Sequence, residues 1–442
     1  MNQLSPGKCI RLTFSIVALF MCIVLTACGG GSSGSSSSSS SSGGSSSSTS
    51  NPCTPYSAAA PSAINVVNVS IDCAVFGAVN EPFVSVTLCS PSDATNCLTV
   101  DHILVDTGST GLRVFAEPST TAALSTLGLA TLTTTSSGGN PIGECQEFVQ
   151  GNTWGPVKLA NIAIGGETAS NVAIQVINDT SFSAVPSACS TSGSILTSPT
   201  GFGANGVLGI GITLQDCGST CVSSGANIYF GCPASGCTNI GMPLTSQVQN
   251  PVSLFSSGNN NGVILNLNSI PSNGAATTGG TLTFGIDTAA NNVSANTNTI
   301  IVDANYGIFT TTFEGGTYNN SYIDSGSNGL YFNPASNEAI TQCTGSSAGF
   351  YCPSSTISGL SAQLSGLTGS TATATVSFSV ANAVSLFATD NAAFTALGGT
   401  ATDVAGIGQT FDWGIPFFYG NNVYVAFDGA TTSKGTGPYF GF

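Results

Sequence analysis

Hydrophobic residues occur along this chain in short runs that are separated by stretches rich in glycine, serine and threonine. The run at 103–105 ends at Asp106, and a second run at 322–323 ends at Asp324. Such runs, bounded by turn-forming residues, predict buried strands that each enter a tight turn. Glycine accounts for 55 of 442 residues, whereas charged helix formers are scarce, so the pattern predicts an all-β chain.

The two turns carry near copies of one heptapeptide. Residues 106–112 read DTGSTGL and residues 324–330 read DSGSNGL, so Asp, Gly, Ser, Gly and Leu recur at five of seven places. A duplicated strand-and-turn unit delivers one carboxylate from each of two distant parts of the chain. We therefore expect Asp106 and Asp324 to form a pair.

Further recognisable segments occur between and after the two aspartate turns. A possible hairpin covers 146–164, and the segment NGVLGIG follows at 205–211. The segment GTLTFGID at 280–287 begins a second unit, which ends with the aromatic segments 413–418 and 423–428. A chain of 442 residues with 41% apolar content is long enough for two domains of ordinary size.

The first 50 residues differ in composition from the rest. Residues 1–28 contain Lys8, Arg11, an apolar stretch too short for a comfortable membrane span, and a final cysteine. This segment resembles a bacterial lipoprotein signal. The resemblance implies that Cys28 carries lipid, and that the exported protein is anchored in the bilayer of the bacterial outer membrane, on its periplasmic or surface face. An ordinary secretory signal with a chance cysteine is the alternative. Residues 29–50 are nearly all Gly and Ser, which predicts a flexible tether spanning roughly 25 Å.

Removal of that signal leaves a strongly acidic chain. Arg113, Lys158 and Lys434 remain against 20 acidic residues, which gives 3 − 20 = −17 with the single histidine neutral. Such a charge disfavours nucleic acid as a partner.

Cysteine usage indicates an oxidising compartment. Of 15 cysteines, 12 remain outside the signal and the lipidation position, an even number that is typical of disulfide bonding. Four short spacings predict local disulfide loops: Cys89 to Cys97, Cys217 to Cys221, Cys232 to Cys237 and Cys343 to Cys352. Longer links are left for Cys53, Cys73, Cys145 and Cys189. A zinc site within 217–237 is the alternative, but an exported chain with one histidine favours disulfides, and we expect no metal.

The ordered segments resemble the pepsin-like aspartic peptidases. In that family each of two β-rich lobes carries an Asp-Thr/Ser-Gly turn, an apolar pair followed by Gly packs beside it, and an aromatic strand ending in Phe-Asp lies near the C-terminus. The segment VLG at 207–209 matches the apolar-Gly element, and the similarity extends over residues 65–442. The resemblance implies an all-β fold of two lobes, 51–245 and 246–442, with a cleft between them.

The resemblance also implies a set of site residues. Asp106 and Asp324 match the catalytic aspartates, and Ser109 and Ser327 match the hydroxyls that support them. The other residues that support the pair are Thr107, Gly108, Ser325 and Gly326.

Two carboxyls in contact suit peptide hydrolysis, which requires an activated water and a stabilised carbonyl oxygen. The two acids cannot both ionise, so they share one proton. One acid then accepts a proton from water while the other donates to the carbonyl oxygen. We expect an aspartic endopeptidase that is active in mild acid, acts on an extended peptide or protein, works as a monomer and needs no cofactor.

Departures from the family pattern occur around the hairpin that would fold over the substrate. Phe148 falls at the position of the family's tyrosine and cannot donate a hydroxyl hydrogen bond, whereas Gly151 lies where the family has glycine. Arg113 stands where the family often has tryptophan, and it either places a cation near the cleft or pairs with the acid Glu117. Trp154 either covers the cleft or packs across the hairpin.

Other interpretations of the same residues compete with catalysis. The tripeptide Asp-Ser/Thr-Gly also favours tight turns for structural reasons alone, so a non-catalytic pepsin-like binding module or a rigid surface scaffold remains an alternative. A serine triad would require His102 as its base, but no Gly-x-Ser-x-Gly elbow occurs in a strand-to-helix context, and a satisfied core or edge histidine is the default.

Overall fold

The computed structural model describes residues 58–442 except for positions 62, 74–75, 135–138, 224–225, 296–297, 368–371 and 402–408. The predicted signal, the lipidation position Cys28, the tether 29–50 and Cys53 lie outside the described residues. Within the described part of the chain, none of the helices is long and apolar enough to cross a membrane.

Strands dominate the regular structure, which confirms the all-β prediction. The strands before residue 245 are β1 (Val66–Ile71), β2 (Pro82–Ser90), β3 (Asp93–Asp106), β4 (Thr110–Phe115), β5 (Ile142–Phe148), β6 (Gly151–Ile164), β7 (Glu167–Ile177), β8 (Gly206–Ile210), β9 (Tyr229–Gly231) and β10 (Thr238–Asn239).

The later strands are β11 (Gly262–Leu267), β12 (Thr278–Phe284), β13 (Thr299–Ile301), β14 (Phe309–Phe313), β15 (Gly316–Ile323), β16 (Leu330–Phe332), β17 (Ile357–Ser365), β18 (Thr373–Val380), β19 (Gly398–Gly399), β20 (Thr410–Trp413), β21 (Asn422–Ala426), β22 (Thr431–Thr432), β23 (Gly435–Thr436) and β24 (Tyr439–Gly441). The described helices are short: α1 (Ser187–Ser190), α2 (Pro199–Phe202), α3 (Ala383–Phe387), and single 3₁₀ turns at Leu124–Leu127, Thr180–Phe182, Gly218–Cys221, Leu244–Ser246, Pro251–Leu254, Gly345–Ser347 and Ile415–Phe417.

Two large sheets contain most of these strands. The first has the order β10-β9-β5-β6-β7-β4-β8-β3-β2-β1-β12-β11-β21-β24-β13, and the second has the order β18-β17-β14-β15-β20-β16-β19. A separate ribbon joins β22 and β23. The first sheet therefore contains strands from both halves of the chain. The predicted lobe boundary near residue 245 stays a prediction.

Strand β1 connects the two halves within the first sheet. It pairs antiparallel with β12 from Val66, opposite Thr283, to Ile71, opposite Thr278. Its C-terminal end also pairs with β2, where Ser70 lies opposite Phe83. The first described strand is thus fixed on both sides by backbone hydrogen bonds.

The same local topology occurs once in each half. Strand β3 runs parallel to β8, which pairs antiparallel with β4 on its other side. In the second half, β15 runs parallel to β20, which pairs antiparallel with β16. Each arrangement holds a strand, the turn after it and the next strand against one shared neighbour. This explains why each predicted turn follows a continuous apolar run: strands covered on both faces do not alternate.

A large hydrophobic core continues through both halves and is dense in aromatic rings in the second. The ring of Phe411 stacks on Trp413 at a centroid distance of 4.3 Å and on Phe332 at 4.7 Å. All three side chains are fully buried. Because this stack lies on β16 and β20, it fixes the strands beside the second aspartate turn.

Disulfide bonds close several surface loops. The four predicted local bridges are confirmed: Cys89–Cys97, Cys217–Cys221, Cys232–Cys237 and Cys343–Cys352. A longer bridge joins Cys145 to Cys189, and Cys73 is also disulfide-bonded. The alternative of a zinc site within 217–237 is wrong, because all four of its cysteine thiols are consumed in bridges.

Asn80 connects the segment before β2 to three parts of the second half. Its Nδ2 donates to the carbonyl oxygens of Asn328, at 2.8 Å, and Phe394, at 2.9 Å. Its Oδ1 accepts from the Phe394 amide at 2.7 Å and from the Tyr419 hydroxyl at 2.8 Å. The side chain is 1% exposed and its backbone φ is 59°, a left-handed conformation that asparagine tolerates.

Replacing Asn80 with alanine should lower the free energy of unfolding by about 3 kcal/mol or more, because several buried groups lose their hydrogen-bond partner. Denaturant unfolding at constant pH measures this loss. Asn227→Ala is the matched control, since Asn227 is exposed and has the same φ of 59°. Equal losses in the two variants would show that backbone conformation, and not the bridging bonds, accounts for the effect.

Candidate active site

The two aspartate turns meet through four buried hydrogen bonds. The Thr107 amide donates to Ser325 Oγ at 3.1 Å, and the Ser325 amide donates to Thr107 Oγ1 at 2.9 Å. The hydroxyls continue the exchange: Thr107 Oγ1 donates to the Ile323 carbonyl at 3.0 Å, and Ser325 Oγ donates to the Val105 carbonyl at 2.7 Å. Each turn therefore holds the strand that precedes the other.

This exchange brings the two carboxyl groups together. A Cβ atom built on Gly108 would lie 2.6 Å from Asp324 Cγ, and one built on Gly326 would lie 2.8 Å from Asp106 Cγ. Real Cβ atoms do not approach other atoms so closely. Glycine at both positions is what allows each turn to accept the carboxyl group of the other half.

Each carboxyl group receives a matching pair of donors from its own turn. The Gly108 amide donates to Asp106 Oδ1 at 2.7 Å, and the Gly326 amide donates to Asp324 Oδ1 at 2.8 Å. The Oδ2 atoms accept from serine: Ser109 Oγ lies 2.5 Å from Asp106 Oδ2, and Ser327 Oγ lies 2.9 Å from Asp324 Oδ2. The eight residues predicted for the pair and its support are thus in mutual contact.

The environment favours a proton on Asp324. Burial, the charge of Asp106 and the charge of Asp412 raise the pKa of Asp324 well above its usual value, and a hydrogen bond with Asp106 adds to the effect. The bond from Ser327 opposes the shift. Asp106 itself is 6% exposed. The arrangement can therefore keep one proton between two carboxyls at a pH where isolated aspartates are ionised.

Asp412 is a member of the site that the sequence analysis missed. It lies on β20, is 4% exposed, and interacts with Ser327, which lowers its pKa. Burial and the charge of Asp106 raise its pKa well above the usual value. An acid within the apolar segment 410–413 was the available signal, because buried acids are rare without a partner.

Arg113 pairs with acids other than the predicted Glu117, and its predicted position near the cleft stays a prediction. Its Nη2 is 2.7 Å from Glu144 Oε1 and 3.0 Å from Asp216 Oδ2, and its Nη1 donates to the Thr110 carbonyl at 2.8 Å. The predicted pairing with Glu117 is wrong. Arg113 lies inside β4 and is fully buried, whereas Glu117 follows that strand at the surface.

The cluster around Arg113 contains more acid than base. The Tyr229 hydroxyl donates to Asp216 at 2.7 and 2.8 Å, and Arg113 also donates to Gln146 Oε1 at 3.2 Å. Burial and the charge of Glu144 raise the pKa of Asp216 well above its usual value, although Arg113 opposes this shift. One guanidinium thus supports two buried carboxyls that come from β5 and from the loop after β8.

The predicted hairpin is formed by β5 and β6, with Phe148 opposite Gly151 at its tip. Gly151 has a φ of 145°, and a Cβ there would lie 2.5 Å from the Ser194 carbonyl oxygen, so a larger residue does not fit. The half-buried Phe148 ring packs edge-on against Phe202, with centroids 5.6 Å apart, and lies 6.0 Å from the Arg113 guanidinium.

Trp154 packs across the hairpin. It pairs with Cys145, is 3% exposed, and donates from Nε1 to the Phe182 carbonyl at 2.8 Å. Its ring meets Phe230 edge-on at 5.6 Å. The alternative in which Trp154 covers a cleft is wrong, because this side chain is enclosed in its own small cluster.

His102 has acidic partners of its own. Its Nε2 lies 3.2 Å from Asp72 Oδ1, and its Nδ1 lies 3.5 Å from Asp101 Oδ2. Burial lowers the pKa of His102, but the hydrogen bonds with Asp101 and Asp72 outweigh burial and raise the value to about 9. His102 also lines a cavity of about 260 Å³ together with Asp72 and Phe83, and neither Asp106 nor Asp324 lines that cavity.

Glu81 is a partly buried acid that the sequence analysis also missed. Burial raises its pKa to about 8. A Cβ atom built on Gly203 would lie 3.1 Å from Glu81 Oε1. Burial raises the pKa of Tyr331, and the charges of Asp412, Glu81 and Asp324 add to this rise. In the described residues, no group of three or more His, Cys, Asp or Glu side chains could hold a metal ion.

Fold and site together define an all-β protein in which two halves of similar local topology contribute one aspartate each to a common pair. The chain belongs to the family described as "Protein of unknown function (DUF3443)", which matches residues 61–442. No match was found among curated proteins. Among solved structures, an aspartic proteinase from Irpex lacteus is similar, with 14% identity and a TM-score of 0.46 over 85% of this chain and 96% of that chain.

Replacing Arg113 with leucine should lower the free energy of unfolding by about 3–5 kcal/mol at pH 7, because Glu144 and Asp216 lose their counter-charge. The loss should be smaller at pH 4. The pKa of Asp216 is already raised by burial and by the charge of Glu144, and Arg113 opposes that rise. Without the cation this pKa rises further above its unfolded value, so the variant loses more stability than the wild type as pH increases. Denaturant unfolding at both pH values measures the difference.

Lys434→Leu is the control for that experiment. Lys434 is exposed, and its replacement should change stability by no more than about 0.5 kcal/mol at either pH. A loss in Arg113→Leu that is the same at pH 4 and pH 7 would contradict the assignment of charged acids to this cluster.

Proposed function

We propose that this protein is an aspartic-type endopeptidase whose acid pair, Asp106 and Asp324, activates water against a peptide bond. The observation that supports this most strongly is the reciprocal contact of the two turns. Thr107 and Ser325 bond to each other's backbone, and each carboxyl lies against the glycine of the other turn. The formation of two tight turns does not by itself require their carboxyl groups to be in contact.

The chemistry proceeds by proton transfer within this pair. The ionised carboxyl accepts a proton from water while the water oxygen bonds to the carbonyl carbon of the peptide. The protonated carboxyl donates its proton to the carbonyl oxygen. When the carbon–nitrogen bond then breaks, the leaving nitrogen takes the proton that the first carboxyl accepted from water, and one hydroxyl of the tetrahedral intermediate returns a proton to the second carboxyl. The products are one carboxylic acid and one amine, and the pair again holds one proton.

The hydrogen-bond donors around the pair are consistent with one carboxyl acting as proton acceptor and the other as proton donor. Ser109 and Ser327 donate to the Oδ2 atoms and the glycine amides donate to the Oδ1 atoms, so both carboxyl groups are held in fixed orientations. The raised pKa of Asp324 extends the range in which one proton remains. As pH rises above that range, the proton is lost and the acid catalyst with it. Activity should therefore be highest in mild acid.

The proposed substrate is an extended peptide or protein, and a monomer is sufficient because both acids belong to one chain. A binding module that holds peptides without cleaving them is the second candidate. Phe148 favours it, since a phenyl ring at the hairpin tip cannot donate a hydrogen bond to a bound peptide. Turnover distinguishes the two functions.

Asp106→Asn and Asp324→Asn should each reduce cleavage of a mixed peptide library by at least about 10³-fold between pH 3 and 7, because each removes a proton donor or acceptor. Cleavage by the full chain in detergent is followed by mass spectrometry of the products. Asp390→Asn, at an exposed acid, is the matched control and should retain full activity. Equal turnover in all four proteins would refute the proposed function.

We also propose that the chain is exported and held at the outer membrane by lipid on Cys28. The signal-like residues 1–28 and the Gly/Ser segment 29–50 support this proposal. Several acyl chains on one residue give stable anchoring.

Cys28→Ser should move the protein from the membrane fraction to the soluble fraction of expressing bacteria, since a serine hydroxyl does not replace the thiol that carries lipid. Fractionation and mass determination of the N-terminal peptide measure the change. Cys22→Ser, within the same predicted signal, is the control and should leave the protein in the membrane. A lipid-free wild-type peptide would rule out the anchor.

A further inference from the structure

A third carboxyl lies beside the acid pair, on one side only. Asp412 occupies β20, opposite Tyr322 of β15 and Tyr331 of β16. In the other half, the same register position on β8 is Val207, opposite Leu104 and Arg113. The local topology is repeated, but the acid is not.

Asp412 is buried without a counter-charge among the described residues. Its side chain is 4% exposed, and its Oδ1 has no hydrogen-bond partner in the described part of the chain. The described ion pairs of the buried cation Arg113 are with Glu144 and Asp216. An unpaired buried carboxyl is costly, so its retention calls for an explanation.

The groups that face Asp412 are hydroxyls and acids. Ser327 interacts with it and donates a hydrogen bond to Asp324 Oδ2. Tyr322 and Tyr331 flank it on the neighbouring strands, and the charge of Asp106 reaches it from the opposite turn.

These contacts make the environment of the pair asymmetric. Asp324 shares Ser327 with a third carboxyl, whereas Asp106 accepts from Ser109 on a side where Val207 carries no charge. A negative group beside one acid of a pair increases the proton affinity of that acid. The shared proton should therefore reside on Asp324, and Asp106 should be the ionised member.

We propose that Asp412 is a positioning residue that, through Ser327, fixes the proton of the pair on Asp324 and thereby assigns Asp106 as the acceptor of the proton from water. The inference rests on the proposed peptidase function for its catalytic consequence, but the location of the proton is a property of the folded protein with or without turnover. Burial and charge agree with it, since the pKa of Asp324 is raised by Asp412 in addition to Asp106.

The first test is the pH profile of kcat/KM for the full chain in detergent, on a peptide that the wild type cleaves. Asp412→Asn keeps the shape of the side chain but removes its charge. The pH at which activity falls to half on the alkaline side should decrease by about one unit, because Asp324 then loses its proton more easily. Asp390→Asn, at an exposed acid, should leave the profile unchanged. An unchanged or upward-shifted profile in Asp412→Asn would overturn the proposal.

A second test does not depend on turnover. Carboxyl-carbon NMR of protein labelled at aspartate follows each acid as pH is raised, with assignments from Asp106→Asn and Asp324→Asn. In the wild type, Asp324 should be the last of the pair to lose its proton, and in Asp412→Asn its midpoint should move to lower pH. If the wild type cleaves no peptide, the peptidase function fails while this titration still decides the inference. If Asp412→Asn does not fold, the wild-type order alone decides it. Asp106 as the last acid to ionise would contradict the assignment.

Discussion

The exchange of hydrogen bonds between Thr107 and Ser325 is the constraint on which the site depends. It is reciprocal, buried, and made between residues far apart in the sequence. Because each hydroxyl also donates to a carbonyl of the opposite strand, a small displacement of one half would leave several polar groups unsatisfied at once. The strands behind the turns, held by β8 and β20, keep the two halves in the register that this exchange requires.

Buried charge is the second organising theme. The Arg113 cluster contains its own cation, which pairs with Glu144 and Asp216 and opposes the rise in the pKa of Asp216. The acid pair with Asp412 has no such cation among the described residues, so it must retain protons. The same kind of side chain therefore serves a structural role in one cluster and a proton-holding role in the other, and the difference follows from the presence of a single guanidinium.

The sequence was sufficient for the all-β fold, the paired turns and the four local disulfides, because each depends on residues close together or on an obvious repeat. It was not sufficient for Arg113. Its acidic partners lie on β5 and in the loop after β8, far from Arg113 along the chain and at no regular interval. Asp412 was missed for a similar reason. Its role depends on its proximity to Ser327 and Asp106, which are distant from it in the sequence. Trp154 was ambiguous because a hairpin pattern does not reveal which face is enclosed.

The position of β1 has a mechanical consequence. This strand is the first regular element of the described residues, and it pairs with β12 at six residue pairs while its end also pairs with β2. A force transmitted along the chain from its N-terminal side would reach β1, with its hydrogen bonds to β12 and β2, before it reached the aspartate turns. The pairing of β1 with strands of both halves therefore lies between a tethered N-terminus and the paired turns.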